Sequence, residues 1–430
     1  ARTAAIRDAA VVGAVLLIAL LLVTLVARSL VRPLRTLRDS ALKVAHEDLA
    51  REVEQARLDG LAERGGTFVE DSSTRSGLRY EPCGDEPNFI ISSGRGYPYH
   101  PKSEYGELPP TMPRRRLKNV IAELSGTQDI DFDAQVWPAI ARDSYEAYIT
   151  TLERVRPDSL LRPRAEILEA IDATAPDELG AAIAPMVTEP WDMNDLMYQI
   201  AGFTGDIDEL TEHIAQSMES DIREASAGHD SPIKAALWSL SQSRKPASIL
   251  GSEGRYTRES RTGRYAQVMS FGQMIGSGPP LFRVRQLLAL VDAGLAHFLG
   301  DHPTVSIEAD HFTLTSGPRS ASAPTLVDAF MHRPDIRTAG DSMTRCLVDS
   351  GRVRPFPDHG QPTGSPETDG ATRRTVHPDG ELDARLHIVG IPTYSQWPDT
   401  TISPMPGTDP LMLQETDKTA GSLLKVAGGH

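Results

Sequence analysis

The feature that most constrains this chain is an uncharged stretch near its N-terminus, residues 9–27. Its 19 residues are rich in Leu and Val, and Asp8 and Arg28 bracket it. About 20 apolar residues are enough to cross about 30 Å of hydrocarbon. The sequence therefore predicts a transmembrane segment within residues 1–30, with a signal peptide or a buried core helix as the alternatives.

Basic residues set the predicted orientation of this segment. Four arginines follow the apolar run within residues 28–38, against two before it. Because basic residues are enriched in cytoplasmic loops, we expect a single-pass protein of the cell membrane whose larger part is cytoplasmic. The first residue is Ala1 rather than methionine, which suggests a fragment or a processed product.

Residues 31–58 predict a helix, because Pro33 suits a first helical turn and apolar residues then recur at helical spacing. A membrane helix followed by Arg28-Ser-Leu-Val-Arg-Pro-Leu-Arg-Thr-Leu-Arg38 resembles the HAMP linker of actinobacterial sensor histidine kinases. That resemblance covers residues 1–58 and implies signal transduction and a homodimer formed through the linker helix. We find no kinase core, and His46 fits a solvated helix surface better than a phosphate acceptor.

Composition excludes several functional classes. The net charge of -15 disfavours nucleic acid as a partner, because phosphate binding needs a basic face. Cys83 and Cys346 are too few and too far apart for a disulfide framework or a zinc site. The sequence also lacks a His-Glu-x-x-His metal motif and a Gly-x-Ser-x-Gly nucleophile elbow. We therefore predict no metal site.

Hydrophobic periodicity divides the remaining residues into three parts. Residues 59–130 are loop-rich, residues 131–250 are helical, and residues 251–430 mix strands and helices. Within the last part we expect an amphipathic helix at 281–299, strands at 305–309, 311–315, 323–330 and 385–390, and a loop at 361–370. This mixture predicts an α/β layered fold, with α+β as the alternative.

A second resemblance spans about residues 60–425. His229-Asp-Ser-Pro-Ile-Lys-Ala-Ala-Leu-Trp238, the stretch at residues 278–294 and Val389-Gly-Ile-Pro-Thr393 are similar to FAD/NAD(P)-binding proteins of actinobacteria. The resemblance implies a Rossmann-like fold with a helical insertion. It also implies FAD, gripped by a Gly-x-Gly-x-x-Gly turn at a helix N-terminus, and NAD(P) as a further nucleotide.

We do not find that glycine turn. Gly272-x-x-x-Gly276-Ser-Gly278 does not have the spacing of that turn and follows no clear strand. We therefore predict a flexible glycine loop there. The fold is therefore expected to be an incomplete FAD/NAD(P)-binding fold, and we expect FAD binding to be weak or absent.

Six residues remain as candidates for cofactor binding, while no catalytic residue is assigned. A strand-to-loop position resembles places where such folds meet a flavin, although a plain structural turn is the alternative. Two residues near a predicted helix start could instead serve in capping, and an arginine could form a surface ion pair. The candidates are Gly390, Pro392, Thr393, His229, Lys234 and Arg283.

These observations predict a membrane-tethered FAD/NAD(P)-binding oxidoreductase-like protein that is not catalytic alone. The alternative is a HAMP-containing signal-transduction protein related to sensor histidine kinases but without the kinase core. A third interpretation is an accidental join of two genes with its seam near residues 55–61, because each resemblance stops where the other begins.

Overall fold

The computed structural model describes residues 66–97, 100–103, 111–276, 278–308, 310–329, 333–398 and 410–428. The chain forms two compact units, residues 1–67 with 81–87 and residues 68–80 with 88–430. In the first unit, the Glu86 carboxylate accepts hydrogen bonds from the backbone N–H groups of Cys83 (2.5 Å) and Gly84 (2.9 Å). These bonds close a turn within residues 81–87.

Helices dominate the middle of the second unit. The α-helices of the described residues are α1 (Arg115–Glu123), α2 (Trp137–Val155), α3 (Arg164–Ala173), α4 (Leu179–Ile183), α5 (Met193–Met197), α6 (Ile207–Ser226), α7 (Pro232–Leu250), α8 (Arg258–Thr262), α9 (Arg264–Gly276), α10 (Leu281–Asp292), α11 (Ser342–Asp349) and α12 (Leu411–Gly428).

The main hydrophobic core lies where α2 packs against α7 and α9. Pro138 in the first turn of α2 and Pro232 in that of α7 suit positions whose N–H groups have no helical partner. Ser231 caps α7 by accepting a hydrogen bond from the Lys234 N–H at 3.0 Å. The apolar residues of α2 are then buried almost completely, Ile149 among them.

Strands form small separate sheets. The strands are β1 (Thr67–Glu70), β2 (Leu78–Glu81), β3 (Phe89–Ser93), β4 (Ala296–Asp301), β5 (Thr304–Glu308), β6 (His311–Ser316), β7 (Arg319–Ala323), β8 (Pro355–Asp358), β9 (Gln361–Pro366), β10 (Arg374–Val376) and β11 (Leu382–His387). The sheet orders are β1-β2, β3-β4, β5-β6-β7, β8-β9 and β10-β11. A second core forms where β4 packs against α6 and α10.

The predicted Rossmann-like fold class is wrong. Such a fold needs a continuous parallel sheet built from βαβ units, whereas β3 and β4 form the one parallel pair whose register is resolved among the described strands. The sheets β5-β6-β7, β8-β9 and β10-β11 are antiparallel. The described fold is a mixed helical and strand fold in which hairpins pair locally.

The predicted membrane protein also needs correction. Among the residues described, no helix combines the length and the apolar character that spanning a bilayer requires. The predicted transmembrane segment at 9–27 and the HAMP-like linker at 31–58 both lie outside the described residues. A transmembrane fold, a membrane partner and a single-pass location in the cell membrane are therefore unsupported, and we do not retain them.

Several element predictions were wrong for local reasons. The helix expected at 281–299 ends at Asp292, because Gly294 takes φ +71° and the chain then enters β4. Residues 361–370 were expected to be a loop, but β8 and β9 form a hairpin across His359 and Gly360, both at positive φ. The strand expected at 323–330 is absent from the described part of that range, since β7 ends at Ala323.

Candidate functional site

An open cleft of about 660 Å³ lies beside the first residues of β3 and β4. Its volume falls in the range usual for small-molecule sites, about 300–1,000 Å³. The start of α6 and the turn between β6 and β7 complete its wall. The lining residues are Asn88, Ile90, Thr204, Gly205, Asp206, Ile207, Asp208, His297, Pro318, Arg319 and Ser320.

A capping box fixes the start of α6 at this cleft. Asp206 accepts a hydrogen bond from the Glu209 N–H at 2.9 Å, and the Glu209 carboxylate accepts one from the Asp206 N–H at 3.0 Å. Asp208, the second residue of α6, has an exposed side chain, and its Oδ1 lies 3.7 Å from Nδ1 of His297. The cleft therefore has an acidic side that includes one carboxylate open to solvent.

Arg319 supplies a fixed positive charge to the cleft. Its guanidinium donates to the carbonyl of Leu299 at 2.6 Å and to that of Gly205 at 3.0 Å. Gly300, at φ +129°, makes room for it, because a Cβ there would lie 2.9 Å from Nη2 of Arg319. These bonds tie β4, β7 and the segment before α6 together at the wall of the cleft.

The cleft therefore presents charges of both signs within one concave surface. Asp206 and Asp208 suit an ammonium group, while Arg319, and His297 when protonated, suit a carboxylate. A ligand that carries both groups, such as an amino acid, matches this arrangement better than a purely anionic ligand does.

A separate cluster is buried between α6, the start of α7 and residues 100–101. Asp221 accepts hydrogen bonds from Nδ1 of His100 and from Nζ of Lys234. Lys234 also donates to the Pro101 carbonyl at 3.2 Å. Burial raises the pKa of Asp221, but the positive charges of His100 and Lys234 outweigh it and lower that pKa to about 2.

The remaining nitrogen of His100, Nε2, is buried and has no hydrogen-bond partner among the described residues. The ring of His100 lies between those of Tyr97 and Phe271, with centroids at 5.1 and 6.0 Å. A Cβ on Gly278 would lie only 1.8 Å from the His100 carbonyl oxygen. Close packing therefore surrounds the cluster, which suits a structural role.

The residues predicted for cofactor binding lie on different elements. Lys234 belongs to the buried cluster, and His229 is exposed in the turn before α7, where its carbonyl accepts from Arg154 at 2.5 Å. Arg283, in the first turn of α10, donates to Gln286 at 2.9 Å and lies over the Phe282 ring. A cofactor role for these three stays a prediction.

The predicted turn after β11 is open to solvent. Gly390 has φ +83°, and nothing lies within 4 Å of the position that a Cβ would take. Pro392 is exposed, whereas Thr393 is buried and its hydroxyl donates to the Gly390 carbonyl at 2.9 Å. The backbone at Gly390 is open, and a cofactor role for Gly390, Pro392 and Thr393 stays a prediction.

The described residues do not supply the pyrophosphate grip. Gly94 and Gly96 follow the parallel strand β3, but a Cβ on Gly96 would lie 2.0 Å from Ile200, so its backbone is covered. No described helix starts directly after this turn. The predicted loop at Gly272 and Gly276 is also wrong, because both lie within α9 and face side chains of α7. The described residues therefore do not include a glycine turn that could bind the pyrophosphate of FAD.

Sequence reasoning missed the cleft residues and the buried cluster. His100 and Asp221 are 121 positions apart, and neither belongs to a motif. The Asp206–Glu209 capping box could have been found, since Asp-x-x-Glu before a helical pattern is a start signal. Within the described residues, no group of three or more His, Cys, Asp or Glu side chains is placed to hold a metal ion.

Comparison with known proteins gives the first indication of activity. No protein-family model matches the chain. It is 30% identical over 386 residues to an L-aspartate N-monooxygenase (nitrosuccinate-forming) of Streptomyces cremeus, covering 83% of this chain and 56% of that protein. It is 27% identical over 385 residues to nitrosuccinic acid synthase npaA of Aspergillus oryzae, covering 85% and 58%.

A further L-aspartate N-monooxygenase, from Streptomyces davaonensis, is 28% identical over 388 residues, covering 84% of this chain and 58% of that protein. The chain thus spans between half and two thirds of the length of these curated relatives.

The comparisons overturn the functional predictions. The expected recognition, an FAD/NAD(P)-binding protein preceded by a HAMP and sensor-kinase segment, is wrong, because the matches over most of the chain are named as nitrosuccinate-forming enzymes. The predicted membrane-tethered protein that is not catalytic alone, and the signalling alternative, are wrong for the same reason. A monooxygenase reaction needs two electrons to reduce the second oxygen atom to water, and a flavin can deliver them, which is consistent with the predicted FAD.

Proposed function

We propose that this chain contributes to an enzyme that N-oxygenates a small acidic amino acid, with L-aspartate as the first substrate to test. The observation that carries the proposal is its similarity, over 83–85% of its length, to three proteins named as nitrosuccinate-forming enzymes. The cleft beside β3 and β4 supports it, because its charges match both ends of an amino acid.

The chemistry sets what the site must do. Each N-oxygenation consumes one O₂, two electrons and two protons; one oxygen atom forms the N–O bond and the other leaves as water. An ammonium group has no free lone pair, so the amine must first lose a proton. His297, which lies 3.7 Å from Asp208, offers a proton acceptor beside the carboxylate that would hold the ammonium.

Substrate orientation follows from the cleft. Arg319 would attract the carboxylates, and its bonds to Leu299 and Gly205 hold it in place. Asp208 would bind the amine on the opposite side. An amino acid with a second carboxylate would gain more from this arrangement than one with an apolar side chain.

FAD is the cofactor that we propose, and when bound it would supply the reducing equivalents and the site of oxygen activation. Among the described residues, the open backbone at Gly390 would contact its ring system. This chain does not show a pyrophosphate grip in its described part, so we expect the concentration of FAD needed for activity to be high.

The test is an oxygen-isotope experiment. The full chain is incubated with FAD, NADPH, isotope-labelled O₂ and L-aspartate, L-glutamate or L-alanine, and N-oxidised products are identified by mass spectrometry. Label on nitrogen in the L-aspartate product, with less from L-glutamate and least from L-alanine, is the expected result. Absence of label from all three amino acids, over the full range of FAD concentrations, would reject the proposal.

Two variants test whether the cleft binds the substrate. His297→Asn and Asp208→Asn should each raise KM for L-aspartate about tenfold, which corresponds to a loss of about 1.4 kcal/mol of binding. The matched control is His302→Asn, since His302 also contacts an aspartate, Asp301 at 3.2 Å, but does not line the cleft. If labelled product forms and all three variants keep the same KM, the reaction stands and the substrate site lies elsewhere.

A further inference from the structure

The sheet β5-β6-β7 sorts its side chains onto an apolar and a polar face. Its register pairs Val305 with Leu314 and Ile307 with Phe312, and it pairs the same β6 residues with two alanines of β7. Directly paired residues share a face of a sheet. One face therefore carries the apolar set Val305, Ile307, Phe312, Leu314, Ala321 and Ala323, and the other carries Thr, Ser, His and Glu residues.

Among the described residues, that apolar face is only partly covered. Ile307 is 76% exposed and Val305 is 48% exposed. The paired residues of β6 and β7 are only half-buried. An antiparallel sheet normally buries its apolar face against another layer, so these six residues, which we call the sheet face, are available to a further layer.

The outer edge of the sheet is available too. Every residue of β5 is exposed, and among the described strands β5 pairs with β6 alone. An unpaired edge offers backbone N–H and C=O groups to another strand. A strand added at this edge would extend the apolar face and the polar face together.

The charges at the ends of β5 indicate the chemistry of such a strand. Asp301 lies just before β5, while Glu308 and Asp310 lie at its far end. Among the described residues, the ion-pair partners of these three carboxylates are the histidines His302 and His311. With a net charge of -15, a second copy of this chain would meet like charges. A partner strand with basic residues near its two ends would complement the acidic residues at the two ends of β5.

We propose that β5 and the sheet face form the docking surface for a basic, amphipathic β-strand of a partner polypeptide. Apolar residues at alternate positions of that strand would lie beside Val305 and Ile307. Lysine or arginine at the positions that flank these apolar residues, on the other face of the strand, would meet Glu308 at one end and Asp301 at the other. This inference is independent of the proposed enzymatic function, because it involves neither the cleft nor the turn at Gly390.

The test uses the full chain and a fluorescent peptide, Thr-Lys-Val-Thr-Ile-Lys-Thr, whose lysines lie on the face opposite its Val and Ile. Its binding is followed by fluorescence anisotropy. Saturable binding that weakens as ionic strength rises is expected. The control peptide Thr-Glu-Val-Thr-Ile-Glu-Thr has the same apolar pattern and should bind at least about tenfold more weakly. Equal binding of the two peptides, or no binding of the basic one, would overturn the proposal.

Two variants locate the binding. Ile307→Lys should reduce affinity at least about tenfold, because it places a cation in the apolar face and repels the basic peptide. Val327→Lys is the matched control, since Val327 is equally exposed but lies in a loop, and it should leave affinity unchanged. An equal loss in both variants would place the peptide elsewhere.

Circular dichroism checks that both variants remain folded. Sedimentation equilibrium then tests a second copy as the occupant: a dimer of the unmodified chain that Ile307→Lys dissociates would overturn the assignment to a basic partner strand.

Discussion

The helical core and the sheet β5-β6-β7 place isoleucines in opposite environments. Ile149 in α2 is fully buried where α2 meets α7, whereas Ile307 in β5 is 76% exposed. Both belong to a regular apolar pattern, helical in one case and alternating in the other. The difference shows that a hydrophobic pattern stabilises the fold only where a second layer covers it.

The same contrast holds for charges. Lys234 and Asp221 are buried together, with His100 and the Pro101 carbonyl as further partners. Arg154 and Asp230 form an ion pair of 2.7 Å whose side chains are both more than half exposed. Water screens the second pair but not the first. The energetic contribution of each charge should therefore follow its burial.

The largest effect is expected for Lys234→Ala. It removes one of the two cations that neutralise a buried carboxylate, so the free energy of unfolding should fall by about 3–5 kcal/mol. Arg154→Ala, which breaks the exposed pair, should cost about 0–1 kcal/mol. Chemical denaturation of both variants measures the difference. Values within about 1 kcal/mol of each other would contradict the contrast between buried and exposed charges.

A matched pair of truncations compares the apolar residues directly. Ile149→Ala should lower the free energy of unfolding by about 2–5 kcal/mol, because it leaves a cavity in a close-packed core. Ile307→Ala removes the same atoms from an exposed face and should change it by no more than about 0.5 kcal/mol. Urea unfolding of both variants provides the measurement. A cost above about 2 kcal/mol for Ile307→Ala would show that the sheet face is covered in solution.

Much of the helical part could be predicted from the sequence. Trp137 and Ile140 recur at helical spacing and lie in α2, and Ser231-Pro232 marks the start of α7. The local sequence pattern gave the wrong element where pairing with a distant strand determines the secondary structure. Ala296 and Phe298 belong to β4, but they were predicted to be helical, because the partner strand β3 lies over 200 residues earlier in the chain.

The candidate site was less accessible to sequence reasoning. Gly390 was singled out and does adopt a backbone conformation that favours glycine. His297 and Arg319, by contrast, line the same cleft as Asp206 only because the tertiary structure places them there. No spacing within the sequence encodes that proximity. The two family resemblances misled the reading of function, which only comparison with curated proteins corrected.

Acid should reveal the buried charge cluster. The pKa of Asp221 is lowered from its ordinary 3.8 to about 2, so the unfolded chain binds a proton more readily there than the folded one. Its contribution, about 2 kcal/mol, is present above about pH 4 and is lost as pH falls towards 2. Asp221→Asn should flatten the dependence of stability on pH in that window, whereas Asp230→Asn should not. If the stability of both variants changed with pH to the same extent between pH 4 and pH 2, Asp221 would not make the predicted contribution.

The smallest effect concerns the backbone of the exposed turn after β11. Gly390→Ala forces an alanine to φ +83° and should cost about 1–2 kcal/mol of stability, although no neighbour clashes with the added methyl group. Gly340→Ala is the control: Gly340 is equally open but lacks a positive φ, so the free energy of unfolding should stay the same or rise by up to about 1 kcal/mol.

Titrating both variants with FAD separates strain from contact. If the turn meets the flavin, the added methyl group at Gly390 covers the open backbone and raises the half-saturating FAD concentration, while Gly340→Ala leaves it unchanged. A loss of stability without any change in FAD dependence would mean that the glycine at 390 serves the turn alone. The exposed regions of this molecule would then differ from its core in a simple way, because their sequence is constrained by backbone conformation and by partners rather than by packing.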